Sequence, residues 1–404
     1  MVFLKHYFRK LKEILQVQSI LPFVLLFLFA IFILTLAISK FFAHEAWGVP
    51  GLISLFLMAF IFQKLFLLKK CYMLFLFRIL VFFLLAVQVL WNLSGATLVP
   101  ISHGVYNRLD PNSLVGAYLQ PNLRNVPIVY TLNNDTICSM TLSVDSCHRR
   151  VPDDNCVEEY LMNLHHPCKH ALFLGCSFTF GWGLMCSSTF PYLFETLNPD
   201  YKSYNYGVSG YGPHQLALLF DKRVDMINET SISERDGFAL YTYIDDHLNR
   251  VYGGSKYLIW SYCPPNVYVE NDSLIIKKWP LIRRLNARIL DEIRLFRFFE
   301  ITQHYPKSEN FYKRFASLIN YTAKKYWELK PGNHFYVGIY PGYDKDLNWI
   351  QYVDEKVVIL RMNPPSDYDN KSKYEIYPPY DQHPSGAANA YYAEELTRLI
   401  KEYE

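Results

Sequence analysis

Apolar and polar positions follow three regimes along this chain. From 18 to 39 there is no formally charged side chain, and Leu, Phe, Ile and Val dominate. About 20 such residues at a rise of ~1.5 Å span the hydrocarbon core of a bilayer, so the stretch reads as a membrane helix. It exceeds the apolar run of an ordinary cleaved signal peptide, and two further apolar segments follow it, 47–68 with Lys64 near its end and 72–93 containing Arg78. Between 100 and 152 the pattern breaks into short runs such as 126–131 and 140–144, set among Pro, Asn, Asp and Thr, which predict brief strands and turns. From Lys169 onward apolar runs of strand length alternate with helical stretches. Strands are predicted at 171–174, 203–208, 237–244, 334–340 and 356–360, and helices at 189–197, 213–224 and 386–403. Such alternation predicts an α/β fold with a parallel sheet covered on both faces.

Charge turns the first regime into a topology. Lys5, Arg9, Lys10 and Lys12 precede the first segment, and Lys64, Lys69, Lys70 and Arg78 gather around the turn between the second and third. If both groups stay inside, three crossings send everything after about residue 95 out of the cytoplasm, into a periplasmic or extracellular space. Two crossings would leave the globular part inside. The expected organisation is a membrane region over 1–95, a β-rich prelude over 96–168 and an α/β domain over 169–404 with an insertion at 255–329. In that insertion Arg283, Arg284, Arg288, Arg294 and Arg297 read as a solvated helix face, with contact to an anionic glycan or to lipid headgroups as the alternative.

Composition narrows the partners. A net charge of +3 over 404 residues, with no dense basic block in the second half, gives no footing for nucleic-acid binding. No paired Cys or His spacing proposes a metal site. Asp245, Asp246 and His247 offer only adjacent ligands, and no phosphate-binding or dinucleotide-binding glycine pattern implies a cofactor. Seven of the eight cysteines follow the membrane region. Cys138 with Cys147, across a hairpin, and Cys156 with Cys168 are the expected local pairs if that space is oxidising.

The chemistry begins where the apolar run Ala171 to Leu174 stops at Gly175-Cys176-Ser177, which places Ser177 at the carboxyl end of a strand, the edge where open α/β sheets bind ligands. Immediately before the last helix stands Asp381-Gln382-His383-Pro384. A serine hydroxyl becomes a competent nucleophile when an imidazole takes its proton, and a carboxylate two positions before the histidine can fix its tautomer.

In order along the chain, Gly175-Cys-Ser-Phe-Thr-Phe-Gly181, Asn205-Tyr-Gly-Val-Ser-Gly210, Tyr243-Ile-Asp-Asp-His-Leu-Asn-Arg250 and Asp381-Gln-His-Pro384 resemble the four blocks of the SGNH (GDSL) hydrolases. The resemblance covers roughly 169–403 and implies a flavodoxin-like sandwich with a five-stranded parallel sheet, with Ser177 as nucleophile, His383 as general base and Asp381 as its orienter. It also implies an oxyanion site built from the backbone N–H of Ser177 and Gly210 and a side-chain amide in the third block. The chain departs from the family twice. Cys176 stands where the family carries Asp, and packs as a small hydrophobe or joins a disulfide. Asp246 stands where the family carries the amide, and an ionised carboxylate cannot donate to an oxyanion, so Asp246 is structural with His247 or Asn249 donating, or is held protonated, or the catalyst is poor.

The expectation is therefore a membrane-anchored serine esterase that removes a short acyl group such as acetyl from a glycan or lipid. Acyl transfer to a cell-envelope polysaccharide at the same site is the alternative, and a catalytically weak glycan-binding or scaffold protein is the other.

Overall fold

The computed structural model describes residues 109–112, 116–132, 135–153, 169–221, 227, 232–233, 235–254, 257–258, 264–292, 305–378 and 381–403. The chain divides into two compact units, 1–98 with 288–301 and 99–287 with 302–404, and the account below concerns the second, together with the helical residues 288–292 of the first. The three expected membrane segments fall outside the described residues. Among the described residues no helix is long and apolar enough to cross a membrane.

The strands, in chain order, begin with a hairpin of β1 (Leu109–Asn112) and β2 (Gly116–Leu119). Next come β3 (Leu123–Leu132), β4 (Asp135–Val144) and β5 (Arg150–Val151), then β6 (Lys169–Gly175), β7 (Tyr201–Gly207) and β8 (Asp236–Tyr243). A second hairpin, β9 (Asn266–Glu270) with β10 (Ser273–Lys277), precedes β11 (His334–Ile339) and β12 (Val357–Arg361). The last pair is β13 (Glu375–Tyr377) with β14 (Asp381–Pro384).

One sheet carries eight of these strands in the order β12-β11-β8-β6-β7-β5-β4-β3. The five from β12 to β7 are mutually parallel, and β5, β4 and β3 continue the sheet antiparallel. The expected five-stranded parallel sheet is thus one side of a larger one, with β12 at its outer edge. Two polar-flanked runs that read as a separate prelude became its edge, because Arg150 of β5 pairs with Asn205 of β7 and carries β4 and β3 with it. Numbered by sequence, the parallel strands run 2-1-3-4-5, the flavodoxin-like order, whose switch point lies between the first and third strands, here β6 and β8.

Alternation along the strands builds two apolar layers. Leu172 and Leu174 of β6 and Ala239 and Tyr241 of β8 face one side; Ala171 and Phe173, and Phe238 and Leu240, face the other. The first layer is closed by α3 (Pro213–Leu219) and α6 (Glu309–Leu329), through Leu216, Phe315 and Ile319. The second is closed by α2 (Phe190–Leu197) and α8 (Gly386–Lys401), whose Phe190, Phe194, Tyr392 and Leu396 share one core cluster with Phe173. Phe173 alone contacts Phe190, Phe194 and Phe238 edge-on. Burying such a ring contributes about 2–3 kcal/mol.

The remaining helices are α1 (Ser177–Phe180), α4 (Asp246–Tyr252), α5 (Leu281–Glu292) and α7 (Lys371–Tyr374). Much of the 255–329 insertion is not peripheral: α6 is the crossover helix between β8 and β11, with Phe311, Phe315 and Leu318 buried in the main core. Of the expected Cys138–Cys147 and Cys156–Cys168 pairs, the side chains of Cys138, Cys156 and Cys168 lie outside the described set, while Cys147 is half-buried and its backbone N–H donates to Asp145 Oδ1 at 2.9 Å.

Candidate active site

The site forms where β6 gives way to α1. Residue 175 must be glycine, because a Cβ there would lie 2.0 Å from Thr179 Oγ1 and 2.3 Å from Thr242 Oγ1, so α1 rests directly on the strand. Ser177 opens α1, and its N–H therefore has no acceptor within that helix. Cys176, beneath it, is fully buried in the second apolar layer and is not in a disulfide, which matches packing as a small hydrophobe. On the far side of the turn, Arg150 donates from Nη1 to the carbonyls of Phe180 (2.9 Å) and Gly181 (2.7 Å), and its guanidinium covers the Phe180 ring at 4.8 Å. These are the carbonyls a short helix leaves unsatisfied at its C-terminus. Strand β5, paired between β7 and β4, thus clamps the nucleophile turn.

At the other end of the chain, β14 brings Asp381 and His383 to this turn, and Ser385 starts α8 by accepting from the Ala388 N–H at 3.3 Å. His383 Nε2 lies 2.8 Å from Ser177 Oγ, and its Nδ1 lies 2.5 Å from Asp381 Oδ1, which also accepts the His383 backbone N–H at 3.0 Å. With the carboxylate on Nδ1, the imidazole carries its proton there and offers Nε2 to the serine O–H. The ring sits between Trp182, stacked at 5.6 Å between centroids, and Phe178 at 5.2 Å. Burial works against ionising Asp381, but hydrogen bonds from His383 and Trp182 and the charge of His383 outweigh it and hold the carboxyl below its ordinary value. A buried carboxylate, an oriented imidazole and a hydroxyl in this sequence can move a proton from Ser177 to His383 as Oγ attacks a carbonyl carbon.

The oxyanion candidates have separate fates. Gly210 sits at φ +88°, a left-handed backbone that glycine adopts without strain, in a turn docked on the β6 end by a 3.3 Å bond from Val208 N–H to Gly175 O. Asp246 is half exposed and accepts from Arg250 Nε at 2.8 Å, while Arg250 Nη1 reaches the Tyr211 carbonyl at 2.7 Å. Its carboxylate therefore braces Arg250, which in turn braces the Gly210 turn. His247 is fully buried with Nδ1 at 2.7 Å from Tyr241 Oη, and burial drives its pKa well below the ordinary imidazole value. It is held neutral inside the first apolar layer. Asn249 accepts from Tyr305 N–H at 3.3 Å.

Asn249 also lines a crevice of about 630 Å³ over the carboxyl ends of β8 and β11, with Asp245, Asp246, Tyr305, Tyr343 and Gln382 among its walls. Tyr343 touches Phe178, and Gln382 is flanked in sequence by the two triad residues, so the crevice adjoins the Ser177 site. Asp346 ties its wall together: Oδ2 accepts from Tyr305 Oη (2.8 Å) and Tyr312 Oη (2.7 Å), and Asp245 accepts from the Asp346 N–H at 3.3 Å. Among the described residues no group of three or more His, Cys, Asp or Glu side chains is placed to hold a metal ion.

Sequence reasoning missed Arg150, Trp182 and Arg250. Arg250 could have been found, since Asp246 and Arg250 stand four residues apart, the spacing of a helical ion pair. Arg150 and Trp182 carry no local signal.

No protein-family model matches the chain, and no curated protein sequence matches it. Among solved structures it is similar to an acetyl xylan esterase from the rumen bacterium Butyrivibrio proteoclasticus, at 12% identity and a TM-score of 0.35 over 58% of this chain and 64% of that one. It is similar also to a family two carbohydrate esterase from Clostridium thermocellum in complex with cellohexaose, at 11% identity and a TM-score of 0.35, again over 58% and 64%. Both neighbours are carbohydrate esterases. The chain spans just under two thirds of their length.

Proposed function

We propose that the chain is a serine esterase of the SGNH type that removes a short acyl group, such as acetyl, from a glycan or a lipid. The observation that carries this reading is the unbroken line from Asp381 through His383 to Ser177, with contacts of 2.5 and 2.8 Å, at the switch point of the parallel sheet. Ser177 Oγ attacks the acyl carbon and its proton passes to His383 Nε2. Asp381 stabilises the imidazolium, and the backbone N–H groups of Ser177 and Gly210 receive the oxyanion. His383 returns the proton to the leaving sugar or lipid hydroxyl, which departs and leaves acyl-Ser177. Water then attacks the acyl carbon with His383 as base, releasing the free acid and restoring the serine. A carbohydrate hydroxyl bound in the adjoining crevice would take the place of water in the transfer reaction.

The N-terminal apolar segments and their flanking basic residues support membrane anchoring, with the esterase domain outside the cytoplasm. A reporter fused after Glu404 tests that placement and is expected to be active only outside.

The decisive experiment treats the full chain and its Ser177→Ala form with a fluorophosphonate and with an activated acetyl ester. Labelling and turnover in the first and neither in the second are expected. A folded wild type that resists labelling and turns over no ester overturns the reading. Adding oligosaccharide acceptors to the same assay separates transfer, seen as acylated sugar, from hydrolysis.

A further inference from the structure

Helix α5 carries a surface that the reaction at Ser177 does not use. Leu281 and Ile282 are 64% and 65% exposed and Leu285 is 38% exposed. At about 100° per residue the three share one arc of the helix. Among the described residues the other exposed large apolar side chains, Val129, Leu197, Tyr377 and Tyr403, stand singly along the chain. The opposite side of α5 is fastened to the domain. Ala287 is buried with Trp279 and Leu258, Trp279 Nε1–H donates to the Pro264 carbonyl at 2.7 Å, and Arg283 donates to the Tyr252 carbonyl at 2.6 Å while covering that ring at 4.0 Å. The outward arc is therefore held in place, not left over from a loosely packed helix.

Charge says what the arc faces. From 273 to 292 the chain has five basic residues, Lys277, Lys278, Arg283, Arg284 and Arg288, and its two acidic ones, Asp291 and Glu292, stand at the far end of α5 from Leu281 and Ile282. Lys277 pairs with Glu270 and Arg283 with Tyr252, whereas Arg284 and Lys278 are exposed and make no ion pair among the described residues. An apolar arc flanked by unpaired cations is the composition of a helix that lies in a membrane interface, with apolar side chains at the acyl boundary and cations among anionic headgroups. A protein partner of ordinary composition would need carboxylates opposite these cations, while an anionic bilayer meets both demands with one surface.

We propose that the Leu281 to Leu285 face of α5 docks on an anionic lipid surface. The docking is independent of the esterase reading and requires no activity at Ser177. The test reconstitutes the full chain in vesicles of phosphatidylcholine, with or without phosphatidylglycerol, bearing an environment-sensitive fluorescent amino acid at position 282. Quenching by lipids spin-labelled near the headgroup is then measured. A probe at 281 repeats the measurement, and one at 197, a lone exposed leucine, is the comparison. Strong quenching at 281 and 282 and little at 197 is expected in the anionic vesicles. Arg284→Gln should lower the ratio of docked to free helix about fivefold, the effect of roughly one headgroup-facing cation. Absence of lipid quenching at 281 and 282 overturns the proposal, whether the probes face water or a protein surface. Equal quenching at 197 overturns it as well.

Discussion

The two ends of strand β6 hold the same pair of groups and put them to different use. At its start His170 Nε2 lies 2.7 Å from Tyr326 Oη; just past its end His383 Nε2 lies 2.8 Å from Ser177 Oγ. Both are imidazole–hydroxyl contacts. His170 is fully buried, makes no carboxylate hydrogen bond among the described residues, and burial lowers its pKa to about 4. His383 keeps about a quarter of its side chain open to solvent and carries Asp381 on its other nitrogen. Burial outweighs the pull of the Asp236 charge and makes the His170 imidazole resist a proton, so the His170 pair holds α6 to the sheet and can do little more. A carboxylate and an open approach are what turn the same contact into a proton relay.

The largest test of that contrast is Asp381→Asn, which should lower kcat for an activated ester by about 10⁴-fold with the fold intact, because the amide can stabilise the wrong tautomer of His383. His170→Gln should leave kcat within a factor of about two. An equal loss in both would erase the distinction between the two ends.

Next is Gly175→Ala at the upper end. The added methyl meets Thr179 and Thr242 at 2.0 and 2.3 Å, so urea denaturation should register a loss of about 3 kcal/mol, with ester turnover falling as α1 is displaced. At the lower end the effect depends on pH. The folded-state pKa of His170 is about 4 against an ordinary 6.5, so the unfolded chain binds the extra proton between those values. The stability from neutral His170 is fully present above about pH 6.5 and is lost as pH falls toward 4, up to about 3 kcal/mol. In His170→Gln, denaturation midpoints measured across that window should show a shallower slope.

The smallest effect is expected from Asp246→Asn. With the carboxylate engaged by Arg250, stability should fall by about 1 kcal/mol or less and kcat/KM should change less than about threefold. A rise of about 10²-fold would instead place Asp246 against the developing oxyanion.

The elements nearest the site were legible in the sequence because their information is local. A four-residue apolar run ending in glycine gave β6 its end and set Ser177 at the edge, and Asp381 and His383 stand immediately before the predicted helix 386–403, which forms as α8 from Gly386. The side chain of Asp246 was harder, since residue type said only that it could not donate, while its partner four residues on decides what it does. The clamp from Arg150 is different again. Its acceptors are backbone carbonyls some 30 residues away, which carry no side-chain signature.

Taken by itself, then, the sequence determined the alternation of strand and helix from 169 onward, the chemistry available at Ser177, Asp381 and His383, and the apolar and basic patterning of the first hundred residues. Those follow from periodicity and side-chain type, which need only a few neighbours to read. Only the tertiary structure decided that Ser177 and His383, 206 residues apart, meet at 2.8 Å, that β3 to β5 extend the parallel sheet, and that Arg250 and not the reacting centre claims Asp246. Those depend on strand order and on which surfaces pack together, and no local pattern of residues encodes them.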